Sequence, residues 1–287
     1  MPIDLFLISA LSAVFFALGI VMSQAGLRHL SPLNGAAISV PTSALLLVLF
    51  SPFMVDWNAF SLRATIIFAL AGVFYPASVS LLNFVSNRRL GPNLTAAMGN
   101  LTPLFAVLLA VMFLDESPGA GQITGIAVIL AGLLLISTDR IKQVPVAGLL
   151  LLGIPLGGAV IRGAVQPVVK LGYESWPDAF AAATIGYIVS ASLIRIARRQ
   201  LNGSASPTAK TGLFWFMGIG VANLLALLTL YISLSLGPVA TVAPIVATYP
   251  LITYAFTRVL LKQEPVSARA LAGIGLSVLG VTLLTTL

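Results

Sequence analysis

The feature that most constrains this chain is that its two halves carry the same pattern of prolines, glycines and apolar runs. Leu90-Gly91-Pro92 aligns with Leu236-Gly237-Pro238, and the offset stays between 146 and 148 residues, close to half of 287. Further pairs are Pro103 with Pro250, Glu116 with Glu264, Pro118 with Pro265, Gly125 with Gly273 and Gly132 with Gly280. Helix breakers and small residues that recur in register indicate a duplicated unit.

The apolar runs predict membrane-spanning helices. A chain with 59% hydrophobic and 8% charged residues has too little polar surface to cover a soluble core. A bilayer core about 30 Å thick requires roughly 20 apolar residues per helix, and β-barrel strands would instead alternate with period two. The sequence therefore predicts an all-α integral membrane protein with ten transmembrane helices, at residues 4–27, 33–52, 62–84, 93–114, 119–138, 146–169, 178–197, 211–235, 239–261 and 267–286.

Five helices in each copy would insert the two copies with opposite orientations. We therefore predict a first repeat at residues 1–140 and a second, inverted repeat at residues 141–287. Twelve of the fifteen Lys and Arg residues fall on one predicted side, including Arg88, Arg198 and Arg199. By the positive-inside rule that side is cytoplasmic, so both termini are predicted outside an inner (plasma) membrane.

The titratable residues exclude several functions. The eight Asp and Glu residues lie in loops or within about a turn of predicted helix ends, whereas a proton relay or a counter-ion for a lipophilic cation needs an acid inside the membrane. A neutral, zwitterionic or anionic solute remains. The chain has no cysteine and one peripheral histidine, His29, so we expect no catalytic residues, no metal site, no cofactor and no enzyme activity.

Polar and aromatic side chains recur near the predicted midplane of both halves, which is where inverted-repeat transporters bind their solutes. The candidate binding residues are Tyr75, Asn100, Thr102, Arg162, Gln166, Asn223, Thr248, Tyr249 and Tyr254. Pro103 and Pro250 are the candidate hinges, because proline bends a helix.

Two of these candidates have competing interpretations. Arg162 is the one full charge clearly inside a predicted span. It could bind a carboxylate or phosphate, or it could extend to the external surface roughly 10 Å away. Asn100 either lines a polar cavity or forms an interhelical hydrogen bond.

The motifs resemble those of the drug/metabolite transporter superfamily, and within it the EamA type. The residues that carry the resemblance are Leu90-Gly91-Pro92, Leu101-Thr102-Pro103-Leu104, Asp115-Glu116 and the segment from Gly125 to Gly132, with their second copies. The resemblance covers the whole chain and implies a central cavity lined mainly by predicted helices 1, 3, 4, 6, 8 and 9, with alternating access. It also implies transport of amino acids and other small metabolites, often outward. Helix 1 lacks the tryptophan that often opens the first repeat, so no residue of helix 1 is carried over.

The leading hypothesis is a secondary transporter that exports small metabolites, amino acids or related zwitterionic or anionic solutes, as a uniporter or exchanger. A sugar-phosphate or nucleotide-sugar-like exchanger and a lipid flippase or scramblase are the alternatives. The expected partners are the lipid bilayer and a small-molecule substrate, and a homodimer is left open. No nucleic acid is expected, because the positive-inside rule accounts for the +7 charge.

Overall fold

The computed structural model describes residues 2–141, 150–202, 210–261 and 268–286. All regular secondary structure in these ranges is helical. The predicted motif residues Glu264 and Pro265, the basic residues Lys142 and Lys262, and the polar linker at 203–209 lie outside the described residues.

The described α-helices follow one another through short connections, with short 3₁₀ turns at Trp57–Ala59 and Gly99–Leu101. In chain order they are α1 (Ile3–Gly26), α2 (Pro32–Met54), α3 (Leu62–Phe74), α4 (Ala77–Leu90), α5 (Pro92–Met98), α6 (Thr102–Phe113), α7 (Ala120–Ile141), α8 (Gly153–Tyr173), α9 (Ala179–Asn202), α10 (Lys210–Leu236), α11 (Val239–Val246), α12 (Tyr249–Leu261) and α13 (Ala268–Thr286).

Helix length and apolarity fit a bilayer. Within the described ranges, seven helical segments are long and apolar enough to cross it, and three shorter apolar helices lie at Thr102–Phe113, Ala120–Gly132 and Ala272–Leu284. Large apolar side chains such as Leu45 and Phe53 point outward on α2, where lipid would cover them. The all-α membrane class is confirmed, whereas ten crossings remain a prediction.

Three predicted spans are divided rather than continuous. The divisions separate α3 from α4, α5 from α6, and α11 from α12. The first division is at Tyr75 and Pro76, which are joined by a cis peptide bond. Pro103 and Pro250 each occupy the second position of the helix after a division, in α6 and α12. Proline is tolerated there because the first N–H groups of a helix have no intrahelical acceptor.

Helix packing follows a pattern that is unchanged when the two halves are exchanged. α1 packs against α10, α11 and α12, whereas α8 packs against α3, α4, α5 and α6. The contact between α2 and α10 corresponds to the contact between α9 and α3 in the other half. Two further large contacts, between α2 and α9 and between α7 and α13, each join corresponding helices of the two halves. Two copies of one unit related by a two-fold axis would pack in this way.

Glycines allow two of these helix pairs to approach closely, as small residues do in membrane proteins. A Cβ atom at Gly132 of α7 would lie 2.6 Å from the Gly273 carbonyl oxygen of α13. A Cβ atom at Gly72 of α3 would lie 2.7 Å from the Cα of Gly186 in α9. Backbone atoms occupy the space of these missing side chains, so the contacts require glycine.

Candidate functional site

A narrow cavity of about 20 Å³ lies where α1, α4, α8, α9 and α10 meet. It runs from Tyr75 and Arg162 along α4 to Asn87. Among the described residues that line it, Arg162 carries the only formal charge, and none is an acid.

The Arg162 side chain is buried against two aromatic rings. The residue is 5% exposed. Its guanidinium carbon lies 5.0 Å from the centroid of the Phe16 ring and 5.5 Å from that of Tyr249, within the range of cation–π attraction. Nε and Nη1 are buried and have no hydrogen-bond partner in the described part of the chain. The side chain is therefore not extended to the membrane surface, which was one of its two predicted positions.

Two glycines make room for this arrangement. A Cβ atom at Gly163, next to Arg162, would lie 2.8 Å from the Thr102 carbonyl oxygen, so α8 contacts the start of α6 directly. A Cβ atom at Gly99 would overlap the Tyr249 hydroxyl group. The divisions before α6 and α12 thus bring Thr102 and Tyr249 close to α8.

Unpaired polar atoms are concentrated around Arg162. Gln166 lies one turn further along α8, and its Nε2 donates to the Arg162 carbonyl oxygen at 3.4 Å. Its buried Oε1 has no donor among the described residues, and the Thr102 hydroxyl likewise has no partner there. Buried polar groups are nearly always hydrogen-bonded, so this cluster suits a polar ligand or water.

Asparagine amides form much of the remaining polar wall. Asn83 and Asn223 line the cavity from α4 and α10, and neither side chain forms a hydrogen bond within the described ranges. Asn87 donates to the Ile20 carbonyl oxygen at 2.9 Å and to the Ser23 hydroxyl, and its buried Oδ1 has no donor in those ranges. The wall therefore offers neutral hydrogen-bonding groups beside a single cation.

The structure brings some predicted site residues together and separates others. Tyr75, Arg162 and Asn223 line the cavity. Tyr249 and Gln166 contact Arg162 without lining the cavity, and Thr102 lies where α6 packs against Gly163. Thr248 and Tyr254 are not among the lining residues. The Thr248 hydroxyl donates to the Ile245 carbonyl oxygen at 2.7 Å. The side chain of Asn100 lies outside the described residues.

Sequence reasoning missed Phe16 and Asn87 as parts of the site. Phe16 has no sequence signal, because α1 is apolar along most of its length. Asn87 follows Asn83 by four residues, a spacing that places both on one face of a helix. The predicted span ended at residue 84, whereas α4 continues to Leu90.

One end of the molecule is closed by contacts around Glu116, which we call the Glu116 latch. The Glu116 carboxylate accepts hydrogen bonds from the backbone N–H groups of Val239 at 2.8 Å and Ala240 at 2.9 Å. Lys170 Nζ lies 3.8 Å from Glu116 Oε1 and donates to the Gly237 carbonyl oxygen. A carboxylate is favoured at the positive N-terminal end of a helix, which here is the start of α11. The latch joins the α6–α7 connection, α8 and the α10–α11 turn.

The latch lies between the Arg162 region and that end of the molecule. Lys170 follows Arg162 by eight residues on α8, or about 12 Å at 1.5 Å per residue. Near the end of α8, the Tyr173 hydroxyl donates to the Tyr231 carbonyl oxygen at 3.0 Å. A surface cavity of about 340 Å³ is lined by residues that include Glu116 and Lys170.

Comparison with solved structures identifies a closely similar fold. One protein crystal structure aligns with 99% of this chain and 97% of its own, with a TM-score of 0.79 and 14% sequence identity. At that identity the likeness concerns the fold alone. A search of curated protein sequences gives no significant match.

A family comparison agrees with the resemblance noted from the motifs. The sequence model of the EamA-like transporter family matches residues 3–138 and, a second time, residues 147–286. Together the two matches cover nearly all of the chain, so this multi-pass membrane protein belongs to the EamA-like transporter family.

Proposed function

We propose that this protein is a secondary transporter that exports small carboxylate-bearing metabolites, amino acids and related zwitterionic or anionic solutes, by alternating access. The observation that carries the proposal is the buried Arg162 guanidinium, which has unpaired N–H groups in a cavity whose described lining contains no acid.

The chemistry around Arg162 favours a carboxylate ligand. Guanidinium forms short, charge-assisted hydrogen bonds with carboxylates, and a buried charge without a partner is costly. The Phe16 and Tyr249 rings next to the guanidinium offer apolar surface, and the asparagine amides offer neutral hydrogen bonds. A small solute with a carboxylate and a partly apolar body matches these groups.

Alternating access is supported by an asymmetry between the two ends of the molecule. The Glu116 latch closes one end, whereas the cavity extends along α4 toward Asn87 and the basic residues Arg88 and Arg89. We propose that the basic end is cytoplasmic, so that the cavity loads from the cytoplasm while the latch is closed. The repeated family match and the exchangeable helix contacts support ten crossings in two inverted repeats.

The divided helices are the proposed moving parts. Pro103 and Pro250 lie where α6 and α12 begin, so each divided span can change its bend without breaking a continuous hydrogen-bond ladder. Pro103→Ala and Pro250→Ala should both slow transport, since alanine permits a longer continuous helix. Unaltered transport rates in both variants would contradict the hinge role.

The test is counterflow of carboxylate solutes in proteoliposomes with no imposed proton gradient. Arg162→Gln should reduce counterflow by about tenfold or more, because hydrogen bonds to charged groups contribute about 1.5–3 kcal/mol. Arg63→Gln is the matched control, since the Arg63 side chain is exposed and lies 3.6 Å from Glu174. Undiminished counterflow in Arg162→Gln, or a strict need for a proton gradient, would contradict the proposal.

A further inference from the structure

We infer that the Arg162 site prefers solutes of net charge −1, which combine a carboxylate with a neutral hydrogen-bond donor, over zwitterions of the same skeleton. This inference rests on the proposed function, since it concerns which carboxylates the same site selects.

The charges around the cavity favour a ligand with one net negative charge. Arg162 is the only charged residue in the described lining. Glu116, further along the molecule, is already held by Lys170 and two backbone N–H groups. A net monoanion therefore neutralises the cavity. A zwitterion would add a second positive group within several ångströms of the guanidinium, in surroundings that screen charge poorly.

Unpaired acceptor atoms near Arg162 and along α4 favour a neutral hydrogen-bond donor on the ligand. Gln166 has a buried amide oxygen without a donor in the described ranges, and so does Asn87. Because Gln166 Nε2 donates to the Arg162 carbonyl oxygen, its oxygen is the atom left to accept a hydrogen bond. A ligand hydroxyl satisfies such an acceptor without adding charge. An ammonium group would also donate, but a buried ammonium requires a compensating carboxylate, which the described lining lacks.

The half-buried amides of Asn83 and Asn223 line the cavity and form no hydrogen bond in the described part of the chain. An amide both donates and accepts, so these side chains suit hydroxyl or carbonyl groups on the ligand. The Asn83 Oδ1 atom would lie 3.6 Å from a Cβ atom at Gly158 of α8, which places it beside the helix that carries Arg162. Changing Asn83 to aspartate would thus add the missing acid with almost no change of shape.

Matched pairs of ligands test the inference. The purified full-length protein in nanodiscs is titrated with 2-hydroxy acids and the 2-amino acids of the same side chain: lactate and alanine, phenyllactate and phenylalanine, 2-hydroxyisocaproate and leucine. Thermal stabilisation reports binding, because a ligand that binds the folded state raises the unfolding temperature. The hydroxy acid of the best pair should bind about tenfold or more tightly than its amino acid, and Arg162→Gln should lose the stabilisation by both.

The Asn83→Asp variant gives an independent reading if Arg162→Gln fails to fold. It should lower the preference for the hydroxy acid by about tenfold or reverse it. Amino acids that bind the wild-type protein as tightly as their hydroxy acids would overturn the inference and leave the proposed function standing. Stabilisation by no carboxylate of either kind, or stabilisation that Arg162→Gln leaves unchanged, would count against the proposed function itself.

Discussion

Replacing Glu116 with glutamine should open the latched end of the protein while leaving the shape of the side chain intact. The carboxylate accepts hydrogen bonds from the N–H groups of Val239 and Ala240 and faces Lys170 at 3.8 Å. Glutamine keeps one acceptor oxygen. The substitution therefore removes one of the two backbone hydrogen bonds and the ion pair.

The size of the effect follows from these contacts. A hydrogen bond to a charged group contributes about 1.5–3 kcal/mol. The side chains of Lys170 and Glu116 are 26% and 11% exposed, and we assign their ion pair at most about 1 kcal/mol after desolvation. The closed arrangement should lose about 2–3 kcal/mol, which shifts the equilibrium between closed and open forms by about 30- to 150-fold.

Cysteine labelling measures this shift without knowledge of the substrate. The chain has no cysteine, so a maleimide reagent reports only the introduced position. Val239→Cys places the probe on a side chain that is 0% exposed at the latch, and Ser235→Cys provides an exposed reference nearby. In nanodiscs, Glu116→Gln should raise the labelling rate of the Val239→Cys protein by about 30-fold or more and leave that of the Ser235→Cys protein unchanged.

The control variant is Asp115→Asn. Asp115 is the exposed neighbour of Glu116 and has a φ angle of 53°, which asparagine tolerates. If Glu116→Gln leaves labelling at position 239 at the wild-type rate, the latch does not hold this end closed. An equal rise in Asp115→Asn would show that any loss of acid in this connection has the same effect, which would also refute the reasoning.

Two further predictions concern helix packing and are measured as unfolding of the purified protein in detergent. Gly72→Ala should lower the free energy of unfolding by about 1–3 kcal/mol through overpacking, because the new Cβ would lie 2.7 Å from the Cα of Gly186. Gly186→Ala is the matched control, since its Cβ would lie 3.8 Å from the Cα of Gly72. Equal stability of the two variants would contradict the packing argument. Ser190→Ala should cost about 1–3 kcal/mol, because the Ser190 hydroxyl donates to the Gly72 carbonyl oxygen at 2.6 Å and accepts the first N–H of α4. Ser192 is exposed and bonds only within α9, so Ser192→Ala should leave the free energy of unfolding nearly unchanged. If Ser192→Ala lowered it as much as Ser190→Ala does, the contacts of Ser190 with α3 and α4 would not explain the effect.

Much of the fold follows from local properties of the sequence. Continuous apolar runs can satisfy their backbone groups in lipid only as helices or closed barrels, so the all-helical class was predictable. Pro76, Pro103 and Pro250 lie at the three divisions. Pro41 and Pro52, however, lie inside the continuous helix α2, so proline alone does not determine where a span divides. Arg162 could be selected because a charge inside a span is costly and rare.

The direction of side chains could not be predicted in the same way. Phe16 is one of many apolar residues in α1, and its position beside Arg162 depends on how α1 and α8 meet. Glu116 and Val239 are 123 residues apart, so nothing local indicates that they bond. The length of α4 was underestimated because hydropathy falls at Ser86 and Asn87, which are buried through bonds to Thr95 and to α1.

A structure of the protein with the hydroxy acid or amino acid that stabilises it most would test the central claim most directly. We predict that the ligand carboxylate lies within hydrogen-bonding distance of the Arg162 guanidinium, beside the rings of Phe16 and Tyr249. A ligand bound elsewhere, with Nε and Nη1 of Arg162 still unpaired, would contradict the claim that this buried cation recognises the transported solute.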